Sequence, residues 1–138
     1  MNTPFTGGCI CGAIRFECIA QASEVKMLKC HCRDCQRITG GPYVPVVYVP
    51  AQSFQITKGT LKYHFTPSET HGTHKRGFCP DCGSRLTGGE YSGSTGIGVT
   101  ASSLDDPSWF KAQIEIWTSD AQPWDPIDLA LPRFKKNT

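Results

Sequence analysis

Alternating apolar and polar residues predict short strands along most of the chain. Residues 13–20 alternate in this way, as a half-buried strand does, and residues 112–117 repeat the pattern. Residues 43–49 are rich in β-branched and aromatic side chains, which favour strands. Shorter strands are predicted at residues 25–29, 54–59, 61–65 and 96–101. Because 14 glycines and 10 prolines favour turns over long helices, the pattern predicts a mainly β fold with little helix.

Prolines and glycines predict where these strands break. Pro45 lies inside a predicted strand and indicates an edge strand or a bulge. Residues 66–73 are polar and predict a loop, and residues 102–107 predict a turn. The segment 118–138 predicts an irregular stretch packed on the surface. With 138 residues and no internal repeat, the chain is expected to form a single domain, 1–138.

Eight cysteines are the main departure from an ordinary composition. The first residues lack a basic region followed by an apolar run, so no signal peptide is expected. No apolar stretch approaches the ~18–20 residues of a membrane span. We therefore expect a cytoplasmic, reducing location, where cysteines are more often metal ligands than disulfide partners, although disulfides remain the alternative. The formal charge of +2 without a clustered basic face makes nucleic acid an unlikely partner.

Three cysteines at C-x-C-x-x-C spacing form the first candidate site. Cys30, Cys32 and Cys35 lie within six residues, so a loop that folds back can direct all three sulfurs at one zinc ion. Three protein ligands leave a coordination position open for water or substrate. We expect this site to be catalytic. The alternative is a closed structural site completed by Cys18, by His31 or by a distant histidine such as His74.

Four further cysteines predict a structural zinc site. Cys79 and Cys82 form a C-x-x-C turn followed by glycine, and Cys9 and Cys11 lie on the same side of an extended segment that also ends in glycine. Together they would join the start of the domain to its middle. The alternative is two unrelated motifs, one of them a redox C-x-x-C.

The remaining candidate residues have simpler interpretations. Cys18 lies in an alternating strand and is expected to be a small buried residue. His31 lies between two presumed ligands, so its ring should point away and hydrogen-bond a sulfur or a carbonyl. The other three histidines, His64, His71 and His74, are expected to be exposed to solvent. Lys29, Arg33 and Arg37 could offset the negative charge of a three-thiolate site or contact a substrate carboxylate, and an exposed surface position is the default for each of them.

Several motifs resemble those of the glutathione-dependent formaldehyde-activating enzyme family, also called the centromere-protein-V-type domain. The matching segments occur in the family order and cover nearly the whole chain: Gly8-Cys9-Ile10-Cys11-Gly12, Cys30-His31-Cys32-Arg33-Asp34-Cys35, Phe78-Cys79-Pro80-Asp81-Cys82-Gly83, Leu104-Asp105-Asp106-Pro107, Trp124 and Leu131-Pro132-Arg133-Phe134.

This resemblance implies a zinc-containing β-tent fold, similar to methionine sulfoxide reductase B and the Rab-accessory zinc proteins. It implies one structural zinc at Cys9, Cys11, Cys79 and Cys82, and a second zinc at Cys30, Cys32 and Cys35. The implied activity is that of a carbon–sulfur lyase, which joins glutathione and formaldehyde into S-hydroxymethylglutathione; its partners are a small thiol and an aldehyde.

Two other functions remain open from the sequence. A zinc-stabilised binding module without enzymatic activity would hold both zinc ions tightly and bind a partner through its loops. A reductase of the sulfoxide type would need an exposed nucleophilic cysteine outside the clusters, and Cys18 is the one candidate for it.

Overall fold

The computed structural model describes residues 4–138, and this part of the chain is mainly β, as predicted. The strands are β1 Phe5–Gly8, β2 Arg15–Cys18, β3 Lys26–Cys30, β4 Val44–Pro50, β5 Phe54–Lys58, β6 Lys62–Ser68, β7 Gly72–Phe78, β8 Arg85–Tyr91, β9 Gly96–Thr100 and β10 Ile114–Ile116. The α-helix is α1, Arg33–Thr39, and short 3-10 helices occur at Ala22–Glu24, Ala51–Ser53, Ala101–Ser103, Pro107–Trp109 and Thr118–Asp120. The β-tent topology and the single-domain organisation stay predictions.

The strands form two sheets. β1, β2 and β5 make an antiparallel three-stranded sheet with β2 in the middle. The larger sheet has seven strands in the order β10-β3-β4-β9-β8-β7-β6. Its pairs are antiparallel except for β10, which lies parallel to β3 although the two strands are far apart in sequence. In the described residues, no helix is long and apolar enough to cross a membrane.

The two faces of the larger sheet have different surroundings. Successive residues of a strand point to opposite faces. Val47, Val99 and Ile97 lie in the main core together with residues of the smaller sheet, such as Phe16. Leu28 and Val46 pair on the other face and pack in a second cluster around Cys30 and Cys35. The candidate catalytic cysteines therefore lie on the face that the three-stranded sheet leaves free.

The segment after β3 is a helix rather than the loop expected from its sequence. Cys32 is the N-cap of α1, because its sulfur accepts the backbone N–H of Cys35 at 3.3 Å. Gly40 ends the helix with a left-handed backbone, at a φ of 71°. A cysteine cap is uncommon, which is why the usual helix-start residues gave no signal here.

Two other expectations were wrong in part. Residues 66–73 are not a loop. β6 extends to Ser68 and β7 begins at Gly72, so only a tight turn separates the two strands. Pro67 is tolerated because β6 is an edge strand. β4 lies inside the larger sheet, but its pairing with β9 begins at Val46, so at Pro45 the strand pairs with β3 alone.

Candidate metal centres

Four cysteines meet between the two sheets. Cys9 and Cys11 follow β1, and Cys79 and Cys82 lie in the turn between β7 and β8. Their sulfurs all lie within 4.8 Å of one another. The Cys9–Cys11 and Cys11–Cys79 sulfur distances are 3.6 and 3.7 Å, close to the roughly 3.8 Å that tetrahedral zinc requires at a zinc–sulfur length of about 2.3 Å. The group can hold a metal ion, and its donor set suits zinc.

The surrounding groups orient these sulfurs. The backbone N–H of Ile14 donates to the Cys9 sulfur at 3.2 Å, and the Ser84 hydroxyl lies 3.2 Å from the Cys82 sulfur. Hydrogen bonds from the Ser84 hydroxyl and backbone lower the pKa of Cys82 to about 5, which favours the thiolate that a metal binds. Gly12 and Gly83 follow the cysteine pairs with φ values of 78° and 77°, a conformation that glycine adopts without strain.

Three cysteines form the second group. Cys30 ends β3, Cys32 caps α1 and Cys35 lies in its first turn, and their sulfurs again lie within 4.8 Å of one another. The thiols of Cys30 and Cys32 donate to Cys35 and hold the pKa of Cys35 well below its usual value, while the pKa of Cys30 is raised well above it by its two sulfur neighbours and by burial. Without a cation, the group favours a single thiolate. A divalent ion would let all three ionise, so the residues fit a metal.

Two arginines that the sequence did not single out lie beside this group. The Arg85 guanidinium is 3.9 Å from the Cys35 sulfur. Arg76 is 4% exposed, and its closest carboxylate is Asp34, at 3.6 Å. The Nε atoms of both arginines are buried without a hydrogen-bond partner among the described residues. Arg76 lies three residues before Cys79 and Arg85 lies three residues after Cys82, on paired strands of one hairpin. This symmetric spacing could have identified the two arginines from the sequence.

The three cations considered from the sequence are placed less favourably. Lys29 lies over the ring of Tyr43, with 5.0 Å between its Nζ and the ring centroid. Arg33 donates to Gln36, although it also borders a cavity beside Cys32. Arg37 is exposed.

His31 is held between two buried carboxylates, rather than by the sulfur or carbonyl that was expected. Its Nε2 lies 2.7 Å from Glu115 of β10, and its Nδ1 contacts Asp125 of the C-terminal segment. His31 and Glu115 are 0% exposed and Asp125 is 7% exposed. The other Glu115 oxygen accepts the backbone N–H of Asp128 at 2.7 Å. The residue between Cys30 and Cys32 is thus anchored to the far part of the chain.

Two cavities border the three-cysteine group. The larger one, of about 640 Å³, is lined by Cys30, Cys35 and Arg85 among others. The smaller one, of about 180 Å³, is lined by Cys30, Cys32 and Arg76 among others. His74 and Tyr91 line both cavities. The three sulfurs are therefore reached from two sides.

His74 is buried, contrary to the default expectation for it. Its Nε2 accepts the backbone N–H of Gly89 at 2.8 Å, and its ring stacks on Tyr91 at 4.5 Å between centroids. Burial lowers the pKa of His74 to about 3, with Arg76 and Arg85 contributing, so the ring is neutral at pH 7. His64 and His71 are exposed, as expected. Cys18 is buried in the main core, and neither cysteine group includes it.

Comparisons with known proteins identify a family and a shared fold. The model of a family described as glutathione-dependent formaldehyde-activating enzyme matches residues 4–120. A crystal structure of a protein from Rhodobacter sphaeroides superposes with a TM-score of 0.58 at 19% sequence identity. The superposition covers 94% of this chain and 98% of that one, so the two share their fold.

Proposed function

The chain belongs to the glutathione-dependent formaldehyde-activating enzyme family, and from this premise we propose that it is a zinc-dependent carbon–sulfur lyase acting on thiol–aldehyde adducts. The thiol is glutathione, and the aldehyde is formaldehyde or a relative of it. The observation that carries the proposal is a group of three cysteines, without a fourth protein ligand among the described residues, that borders two cavities.

The proposed reaction adds a thiol to an aldehyde. The thiol sulfur forms a bond to the carbonyl carbon, the carbon–oxygen π bond breaks, and the thiol proton ends on the oxygen; the lyase direction is the reverse. A zinc ion held by Cys30, Cys32 and Cys35 would supply a binding position for the substrate thiolate and Lewis acidity for the carbonyl. Cys9, Cys11, Cys79 and Cys82 would hold the structural zinc.

The neighbouring charges support this chemistry. Three thiolates around one divalent ion carry a net charge of −1, which would weaken its Lewis acidity. The Arg85 guanidinium, 3.9 Å from the Cys35 sulfur, offsets that charge, and the buried Arg76, which lines the smaller cavity, adds a second cation near the group. The site can then stabilise the negative charge that develops on the aldehyde oxygen.

Tyr91 is suited to donate a hydrogen bond in this reaction. It lines both cavities, and burial, together with the three nearby cysteines, raises its pKa to about 12. The phenol therefore keeps its proton at pH 7 and can donate to a developing alkoxide.

All eight cysteines are free of disulfides in the structure, which suits a reducing compartment such as the cytoplasm.

The Cys32→Ser variant tests this proposal. Serine is a preferred N-cap, so the variant should keep the start of α1 while removing one thiolate. We expect a folded protein that retains one zinc per chain and has lost its acceleration of adduct formation between glutathione and formaldehyde, measured by exchange NMR. The contrast is Cys11→Ser, which should lose the other zinc and lower the melting temperature. Unchanged turnover in Cys32→Ser would remove the catalytic role, and two tightly held zinc ions without turnover in the wild type would favour the binding module.

A further inference from the structure

The larger cavity lies on one face of the seven-stranded sheet. The register places Ile114, Leu28, Val46 and Thr100 side by side across β10, β3, β4 and β9. The next row on the same face consists of Ile116, Cys30 and Val44. The wall that the sheet forms beside Cys30 is therefore largely aliphatic. Formaldehyde offers no hydrocarbon surface to such a wall.

Apart from the cysteine sulfurs, the charged side chains along this cavity all have the same sign. Among the described residues, its charged side chains are Lys26 and Arg85, and no acidic side chain lines it. The cavity therefore does not suit a ligand with an ammonium group, such as the γ-glutamyl end of glutathione. Its volume of about 640 Å³ falls within the range of about 300–1,000 Å³ that is usual for small organic ligands.

The smaller cavity has the opposite character. Its lining combines cations, Arg33 and Arg76, with carboxylates, Asp34, Glu69 and Asp120. Such a mixture suits the charged ends of a zwitterionic peptide thiol. Because both cavities reach Cys30, a thiol that enters from the polar side would meet an aldehyde that enters from the apolar side.

We infer that the aldehyde for this chain carries an apolar body of several carbons, which occupies the larger cavity against Leu28, Val46 and Ile114. This inference rests on the proposed function and names its substrate class. The bonds made and broken are those of the thiol addition described above. Each buried methylene should favour binding by about fourfold, so a longer aldehyde should be preferred over formaldehyde.

The experiment compares hexanal with formaldehyde as partners of glutathione in the zinc-loaded protein. We expect kcat/KM for adduct formation to be at least about tenfold higher for hexanal. The variant Val46→Phe places a ring in the cavity and should remove the preference for hexanal over formaldehyde. Thr57→Phe makes a similar change of size on an exposed position of β5 and should change neither value. A preference for formaldehyde in the wild type would overturn the inference.

A binding measurement separates this inference from the proposed function. Hexanamide is an unreactive analogue, and its binding can be followed by calorimetry without turnover. If no aldehyde is turned over, the proposed function fails. Hexanamide binding then tests separately whether the larger cavity is an apolar ligand site. Hexanamide binding that Val46→Phe abolishes and Thr57→Phe retains would support an apolar ligand site, whereas no binding to the wild type would overturn it.

Discussion

Replacing His31 with alanine should be among the most destabilising changes in this chain. The ring is wholly buried, and both of its nitrogens contact carboxylates, Glu115 and Asp125. Its removal would leave two acidic groups facing each other across a cavity. Breaking a buried ionic contact in this way typically costs about 3–5 kcal/mol, a large part of a total stability of about 5–15 kcal/mol.

Urea unfolding measures this effect. At an m value of about 2 kcal/mol/M, the midpoint of the His31→Ala protein should fall by about 2 M. The control is His64→Ala, an exposed histidine of β6 that should change the free energy of unfolding by less than about 0.5 kcal/mol. In a Glu115→Gln/Asp125→Asn background, the His31→Ala change should cost less than half as much, since no like charges are then left together. A His31→Ala loss below about 1 kcal/mol would refute this reasoning.

Two further predictions concern backbone strain and acid. Gly59 and Gly93 have φ values of 79° and 78°, but a Cβ at Gly59 would lie 2.2 Å from the Ala13 carbonyl oxygen, whereas the space at Gly93 is open. Gly93→Ala should therefore lower the free energy of unfolding, measured with urea, by about 1–2 kcal/mol. Gly59→Ala should lower it by at least about 2 kcal/mol more, and equal losses in the two variants would contradict the packing argument. The pKa of His74, about 3, is below its ordinary value of 6.5, so its contribution to stability is present above pH 6.5 and is lost as the pH falls towards 3. His74→Gln should reduce the slope of stability against pH between about 6 and 4 by up to about 1.4 kcal/mol per pH unit, and parallel wild-type and variant curves would refute this.

Local patterns were sufficient for much of the fold. Strands with a clear alternation, such as 13–20 and 112–117, contain β2 and β10. β8 was not predicted, because Gly88 and Gly89 interrupt its pattern. Gly89 answers a tertiary requirement, because its φ is 66° and a Cβ there would lie 3.3 Å from the backbone nitrogen of Gly98 on the neighbouring strand β9. Propensity along the chain cannot reveal such a close approach.

The candidate site divides in the same way. The cysteine groups follow from spacing, since C-x-x-C and C-x-C bring sulfurs together over a few residues. Arg76 and Arg85 reach the three-cysteine group only through the pairing of β7 and β8 across a turn that holds the other cysteines. The contact of His31 with Glu115 depends on the parallel pairing of β10 with β3. The pairing of β10 with β3 joins segments that are far apart in sequence and leaves no local signal, whereas the spacing of the two arginines around the Cys79–Cys82 turn was available in the sequence.

The anchoring of His31 also has a consequence for biosynthesis. Its two acidic partners follow it by 84 and 94 positions. While the protein is being made, Cys30, Cys32 and Cys35 emerge from the ribosome long before residue 125 does. A nascent polypeptide therefore presents these three thiols before Glu115 and Asp125 are available to anchor the histidine that lies between the first two of them.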